Sequence, residues 1–134
     1  MKANIFLIFH MIGILLISTA ACGQKTAIAS IGNAWLATDE KGATHTTVYS
    51  QDATFNLFVE LKNAPSDMQL KAIWIAVNAD GLAPNSVIHE TDYISNKQLI
   101  RFYLANDVPW APGSYKVDIF LNGIVDKSLA FEVK

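Results

Sequence analysis

The sequence predicts an all-β domain, an antiparallel sandwich of about seven short strands, placed behind an N-terminal address segment. Three observations carry this expectation. From Thr26 onward the apolar residues recur with period two, and no stretch keeps the 3.6-residue period of an amphipathic helix. Turn-forming residues punctuate these runs at short intervals. Of 134 residues, 51% are apolar, 10% aromatic and only 16% charged, the composition of a chain that buries a core rather than of a disordered one. The length suits one domain.

The first segment reads as an address. Lys2 is the only charge before a run from Ile5 to Ile17 that is broken only by His10 and Gly13; Ser18, Thr19, Ala20 and Ala21 follow, and then Cys22. A charged start, a short apolar stretch and a small-residue exit form the pattern of a secretory signal. The run falls short of the roughly 20 apolar residues that span a bilayer. It also lacks the polar face of a core helix. The expected organisation is a signal peptide over residues 1–21, a modified cysteine and short tether over 22–25, and one folded domain over 26–134. Losing Lys2 leaves nine basic against twelve acidic residues, a net charge of −3.

The strands follow in order. Residues 26–31 and 34–38 form a first strand with an irregularity at Gly32. In 54–63, Phe55, Leu57, Val59 and Leu61 alternate with Asn56, Phe58, Glu60 and Lys62. Residues 70–77 and 87–93 give two more strands, and 99–104 another. In 114–121, Tyr115, Val117, Ile119 and Leu121 alternate with Lys116, Asp118 and Phe120; Leu129, Phe131 and Val133 mark the last strand. Asn122-Gly123 sits between two alternating runs, and both residues suit the positive φ of a tight hairpin. Asp39 to Gly42 and Asp80-Gly81 punctuate other connections. A partly open barrel is the alternative architecture.

Several function classes are disfavoured. A net charge of −2 supplies no basic face for nucleic acid. One cysteine makes neither an internal disulfide nor a multi-thiolate metal site. No glycine-rich phosphate loop is present, and no cofactor is expected. Ser86, His89 and Asp92 lie along one strand, with His89 and Asp92 on opposite faces, so a catalytic triad is not expected. Glu90 and Asp92 share a face, but two carboxylates alone hold a metal weakly. The chain reads as a non-enzyme.

Thr19-Ala20-Ala21-Cys22 resembles the bacterial lipobox, with Thr19 where Leu is usual. The resemblance implies cleavage before Cys22 and acylation of its thiol and new amine by fatty acids such as palmitate. Several acyl chains, at about 0.8 kcal/mol per buried methylene, anchor a protein essentially permanently. Gly23 stands where Asp marks inner-membrane retention, so the resemblance implies the outer membrane.

Trp110-Ala111-Pro112-Gly113-Ser114-Tyr115-Lys116-Val117, then Leu121-Asn122-Gly123, then Phe131-Glu132-Val133 resembles a W-x-x-G-x-Y-x-V … L-N-G … F-x-V ending. This ending is similar to that of small immunoglobulin-like domains of bacterial envelope proteins and lipoproteins. The resemblance implies an immunoglobulin-like sandwich with no particular activity, because such domains serve varied roles. Within it, Trp74 is expected to fill the space between the sheets, Tyr115 to form a tyrosine corner and Trp110 to plug one end.

In such a sandwich the strands at 70–77 and 114–121 are neighbours. With Trp74 and Tyr115 inward, Ile73, Ile75, Val77 and Phe120 point outward as an apolar strip edged by Lys71, Lys116 and Asp118. This strip is the candidate contact face for a protein partner or a second copy. Phe58 and Tyr103 form a second outward pair, expected to be ordinary cross-strand packing. The functional expectation is a lipid-anchored envelope domain acting as an interaction or scaffold module. The rival is an inhibitor of a periplasmic or host hydrolase that inserts the loops at 79–86 and 105–113.

Overall fold

A computed structural model describes Gly23 and residues 27–134; the expected signal peptide and Cys22 lie outside the described residues. Eight strands and no helix occur among the described residues: β1 (Ser30–Ala37), β2 (Val48–Tyr49), β3 (Phe55–Lys62), β4 (Met68–Ala79), β5 (Ser86–Ser95), β6 (Leu99–Leu104), β7 (Gly113–Leu121) and β8 (Ile124–Val133). They form a three-stranded sheet, β1-β3-β6, packed on a five-stranded sheet, β2-β8-β7-β4-β5. All described pairings are antiparallel except β2 with β8. The expected sandwich is therefore present, with one strand more than expected.

That extra strand is β2, two residues that pair in parallel with Glu132 and Val133. The first strand begins at Ser30, and its register shifts between Ile31 and Asn33, at the expected irregularity of Gly32. β8 starts at Ile124 rather than Leu129. Its first half is exposed on both faces, so alternation does not mark it; the Asn122-Gly123 turn propagates the pairing instead. Both turn residues have positive φ, 49° and 83°.

Pleat alternation builds the core. Phe55, Leu57, Val59 and Leu61 of β3 face Leu70, Ala72, Trp74 and Ala76 of β4 and Tyr115, Val117 and Ile119 of β7, all buried. Trp74 is completely buried at the centre, and its indole nitrogen has no hydrogen-bond partner among the described residues. The Tyr115 hydroxyl donates to the Ala111 carbonyl at 2.6 Å, the expected corner. Trp110 closes one end: its indole N–H donates to Ala53 O at 2.8 Å and its ring stacks on Phe55 at 4.6 Å. Gly113 admits no side chain. Its φ is 148°, and a Cβ there would collide with the backbone of Asn78 and Ala79.

The outer face of the three-stranded sheet is covered by the loop between β1 and β2. Trp35 stacks on Phe58 (5.4 Å, 11°) and on His45 (5.4 Å, 23°), and its indole N–H donates to Gly42 O at 3.0 Å. The Asp39 carboxylate shapes the loop by accepting N–H bonds from Lys41, Ala43 and Thr44 at 3.0, 3.1 and 2.6 Å. Arg101 donates twice to the buried Asn56 amide oxygen, at 3.0 and 2.7 Å. Phe58 faces outward as expected and packs cross-strand, but against Trp35, its register partner on β1, rather than Tyr103, and it is buried. Tyr103 lies opposite Asn56 and is exposed, with the Arg101 guanidinium over its ring.

Two pH dependences follow. The Thr44 and Ala43 amide bonds hold the Asp39 carboxyl down at about 2. A group depressed in the native state stabilises above its unfolded value, near 4, and loses that contribution as pH falls through about 2. NMR titration is expected to find Asp39 ionised at pH 3, and Asp39→Asn to remove the loop's acid sensitivity. The Tyr49 hydroxyl donates to Ala37 O at 3.0 Å, and burial pushes its pKa up to about 12. The unfolded chain releases this proton near pH 10 while the native state keeps it, so stability falls between pH 10 and 12. Urea midpoints measured across that range are expected to decline, less steeply in Tyr49→Phe.

Candidate functional site

Among the described residues no loop folds over the outer face of the five-stranded sheet, where Val87 and Val125 stand exposed. Strands β4 and β7 are neighbours in it, as expected, and they bring Ile73, Ile75 and Phe120 onto this face, each partly buried. The register extends the strip. Ile75 lies opposite Val87 on β5, and Phe120 lies opposite Val125 on β8. Opposite residues share a face. The apolar band therefore runs diagonally as Val87, Ile75, Ile73, Phe120 and Val125 across four strands. Its two ends are the most open, Val87 being 57% and Val125 53% exposed.

Val87 and Val125 join the band because of two irregularities. The β4–β5 register shifts between Trp74 and Ile75, and the β7–β8 register shifts between Ile119 and Phe120. Each shift reverses which residues face outward on one side of it. Plain alternation in the sequence carries no signal for such a reversal. Val77, the fourth residue of the expected strip, sits at a third irregularity, between Ala76 and Asn78. It faces an open groove shared with Lys116, Ala130 and Glu132.

Charges frame the band in pairs. The Lys71 amine lies 3.8 Å from Glu90 and 3.7 Å from Asp92. Lys116 lies 2.9 Å from Asp118, which also accepts the Ser128 hydroxyl at 2.6 Å. Such exposed pairs add little stability. Their effect is that the charges flanking the band are matched within the chain, so a partner meets an apolar surface of low local net charge.

The other sequence-level candidates do not converge. His89 lies opposite Trp74, on the core-facing side of β5, whereas Asp92 turns outward to Lys71. The Ser86 hydroxyl is bonded to the Ala83 carbonyl. The shared face of Glu90 and Asp92 holds Lys71 between them. Among the described residues no three His, Cys, Asp or Glu side chains cluster as a metal site would need. The loops at 79–86 and 105–113 lie side by side at one end of the sandwich, where the Asp80 N–H donates to Pro112 O at 3.0 Å.

No family model matches the chain, and no curated protein matches it in sequence. Its likenesses are to solved structures. An immunoglobulin-like protein from Pseudomonas aeruginosa matches 82% of this chain and 99% of its own, at 14% identity and a TM-score of 0.58. The alkylpurine DNA glycosylase AlkC of Pseudomonas fluorescens matches 79% of this chain at 18% identity and a TM-score of 0.53, but only 30% of its own length is covered. A Listeria innocua β-glucosidase matches 80% at 14% identity and a TM-score of 0.51, with 16% of its own length covered. At these identities the likeness is one of fold, and the fold is an immunoglobulin-like β-sandwich.

Proposed function

We propose that this chain is a lipid-anchored, non-catalytic domain of the bacterial cell envelope that works by protein contact through the outer face of its five-stranded sheet. The observation that carries the contact reading is the contrast between the two faces. Over the three-stranded sheet the β1–β2 loop returns at Gly42, which lies against the Phe58 ring and accepts the Trp35 indole N–H. The five-stranded sheet leaves Val87, Ile75, Ile73, Phe120 and Val125 as an uncovered diagonal. Contiguous apolar area of this kind, rimmed by polar groups, marks contact surfaces.

The anchor rests on the lipobox resemblance of Thr19 to Cys22, and the outer-membrane location on Gly23. The short segment between Cys22 and β1 keeps the domain near the bilayer, within about 30 Å at ~3.5 Å per residue. The rival reading, a hydrolase inhibitor, is supported by the shared position of the loops at 79–86 and 105–113. Against it stands that both loops line a groove, Leu82 from one and Val108 to Ala111 from the other.

Two experiments test the reading. Radiolabelled palmitate is expected to enter the full chain expressed in a Gram-negative host and to be absent from Cys22→Ser, with the wild type in the membrane fraction. An unlabelled, soluble wild-type product overturns the anchor. Crosslinking from native membranes is expected to trap a partner or a second copy with the wild type. The pair Ile75→Ser and Phe120→Ser is expected to weaken that association at least about tenfold. Each substitution is expected to cost only about 1 kcal/mol of stability in urea titration, as befits half-buried positions. Unchanged association together with severe destabilisation would assign these residues to the fold and overturn the contact face.

A further inference from the structure

A slot of about 490 Å³ lies along one side of the sandwich, between β1 and β8, bounded by Trp35, Leu36, Leu129 and the stretch His45 to Thr47. That stretch crosses from one sheet to the other. Thr46 N–H donates to Leu36 O of β1 at 3.0 Å, and Glu132 N–H of β8 donates to Thr47 O at 2.9 Å. β2 then pairs with β8 only at Glu132 and Val133. Upstream of Glu132, no described residue pairs with β8 on the side away from β7.

Strand periodicity fixes which backbone groups are left over. Glu132 and Lys134 turn their N–H groups away from β7, to Thr47 O and Tyr49 O. Every second residue of an antiparallel strand points its N–H and C=O to the same side, so Ser128 and Ala130 do likewise. Their two N–H and two C=O groups face the slot without a backbone partner among the described residues, and both residues are exposed. The opposite wall is already satisfied: Leu36 O takes the Thr46 N–H, and Ala34 N–H bonds Asn33 Oδ1 at 3.0 Å. The other free edges carry charges that discourage pairing, Glu90 and Asp92 on β5 and Arg101 on β6. Between the register shift at Val125 to Lys127 and the start of β2, β8 offers Ser128-Leu129-Ala130, with neither charge nor proline.

We infer that this window of β8 receives an extended segment of a partner protein as an added antiparallel strand, with one apolar side chain turned into the slot. Opposite residues of an antiparallel pair share a face, so the residue facing Leu129 points inward with it, toward Trp35 and Leu36. Its two neighbours exchange four bonds with Ser128 and Ala130, which satisfies every free group of the window. The mixed lining fits this occupant. Its polar part is strand backbone, threonine hydroxyls and His45, and no Lys, Arg, Asp or Glu lines it, so recognition rests on the main chain rather than on charge. A second copy's β8 does not fit: laid antiparallel about Leu129, it sets Asp126 of one molecule at Glu132 of the other, where Thr47 already sits. The site stands apart from the sheet-face contact, and its failure leaves that reading untouched.

The test uses the full chain in neutral-detergent micelles, with residue-resolved amide shifts and hydrogen exchange. The probe is the acetylated, amidated pentapeptide Ser-Thr-Val-Thr-Ser. One control is the same peptide N-methylated at both threonines, which removes its donors; the other carries Asp in place of Val. Without probe the Ser128 and Ala130 amides are expected to exchange fast. The probe is expected to shift them saturably, with an affinity on the order of millimolar, and to slow their exchange at least about tenfold. Both controls are expected to leave them unchanged, and added salt to leave the probe's affinity unchanged. Ala130→Pro removes an N–H that β7 does not use, at an edge position where proline is tolerated. It is expected to weaken the probe about tenfold while the β7 amides keep their protection. Fast exchange that persists at saturating probe, equal response to the methylated peptide, or shifts centred on Ile73 and Phe120 would overturn the assignment. So would slow exchange of both amides without probe, which means that the chain itself or a second copy covers this edge.

Discussion

Phe55 holds its ring among five other aromatic rings, at centroid distances of 4.6 Å to Trp110, 4.8 Å to Tyr49, 4.9 Å to Phe131 and 6.0 Å to both Trp74 and Tyr115. Those partners come from β2, β4, β7, β8 and the loop before β7. One side chain on the three-stranded sheet thereby fixes most of the five-stranded sheet and one end of the sandwich. Full burial of such a ring contributes roughly 1.5–3 kcal/mol, and each favourable aromatic pair adds about 0.5–1.5 kcal/mol. In a domain without an internal disulfide this cluster serves as the cross-brace between the layers. The positions of Trp110 and of the loop that carries it depend on it directly.

Much of the fold was legible because its signals are local. Alternation marked β3, β4, β6 and β7 to within a residue or two. Asn122-Gly123 marked the hairpin, and the Gly113-to-Tyr115 spacing marked the tyrosine corner. Gly113 has a physical reason that the sequence motif does not reveal: β7 begins so close to Asn78 and Ala79 that a methyl group has no room. What escaped the sequence is non-local. β2 exists only because Glu132 and Val133 offer it an edge. Asn56 and Phe58 read as the outward residues of β3, but the sequence does not show that Gly42 of the preceding loop returns over Phe58 and that Arg101 bonds Asn56, so that both are buried. Of the contact band, Ile73, Ile75 and Phe120 were legible from the pleat, but Val87 and Val125 depend on register shifts that period two does not encode.

The two outer faces solve one problem in opposite ways. A sheet in a two-layer sandwich has its second face in water, and apolar residues there are a liability unless something covers them. On the three-stranded sheet the chain supplies the cover itself: the Trp35 indole stacks on Phe58 and on the His45 imidazole, and the Arg101 guanidinium bonds Asn56. On the five-stranded sheet it supplies only flanking ion pairs, which keep the band soluble without closing it. The edge strand β5 adds a safeguard. Glu90 and Asp92 sit near its middle on the outward face, so a second β5 laid antiparallel about that centre brings like charges together. Edge-to-edge growth of the sheet through β5 is discouraged, while access to the face is left free.

The band and the groove between the loops at 79–86 and 105–113 also differ in direction. The band lies on the flank of the sandwich, whereas the groove between Leu82 and Val108 lies at the end remote from the chain's entry. β4 runs between the two ends over 12 residues, about 40 Å at ~3.4 Å per residue. With an acyl chain at Cys22, the flank would meet neighbours standing on the same membrane, and the far end would meet partners arriving from the aqueous side. Under the proposed anchor, a short tether would raise the effective concentration for flank contacts between molecules confined to one bilayer, so that even a modest apolar band would suffice there.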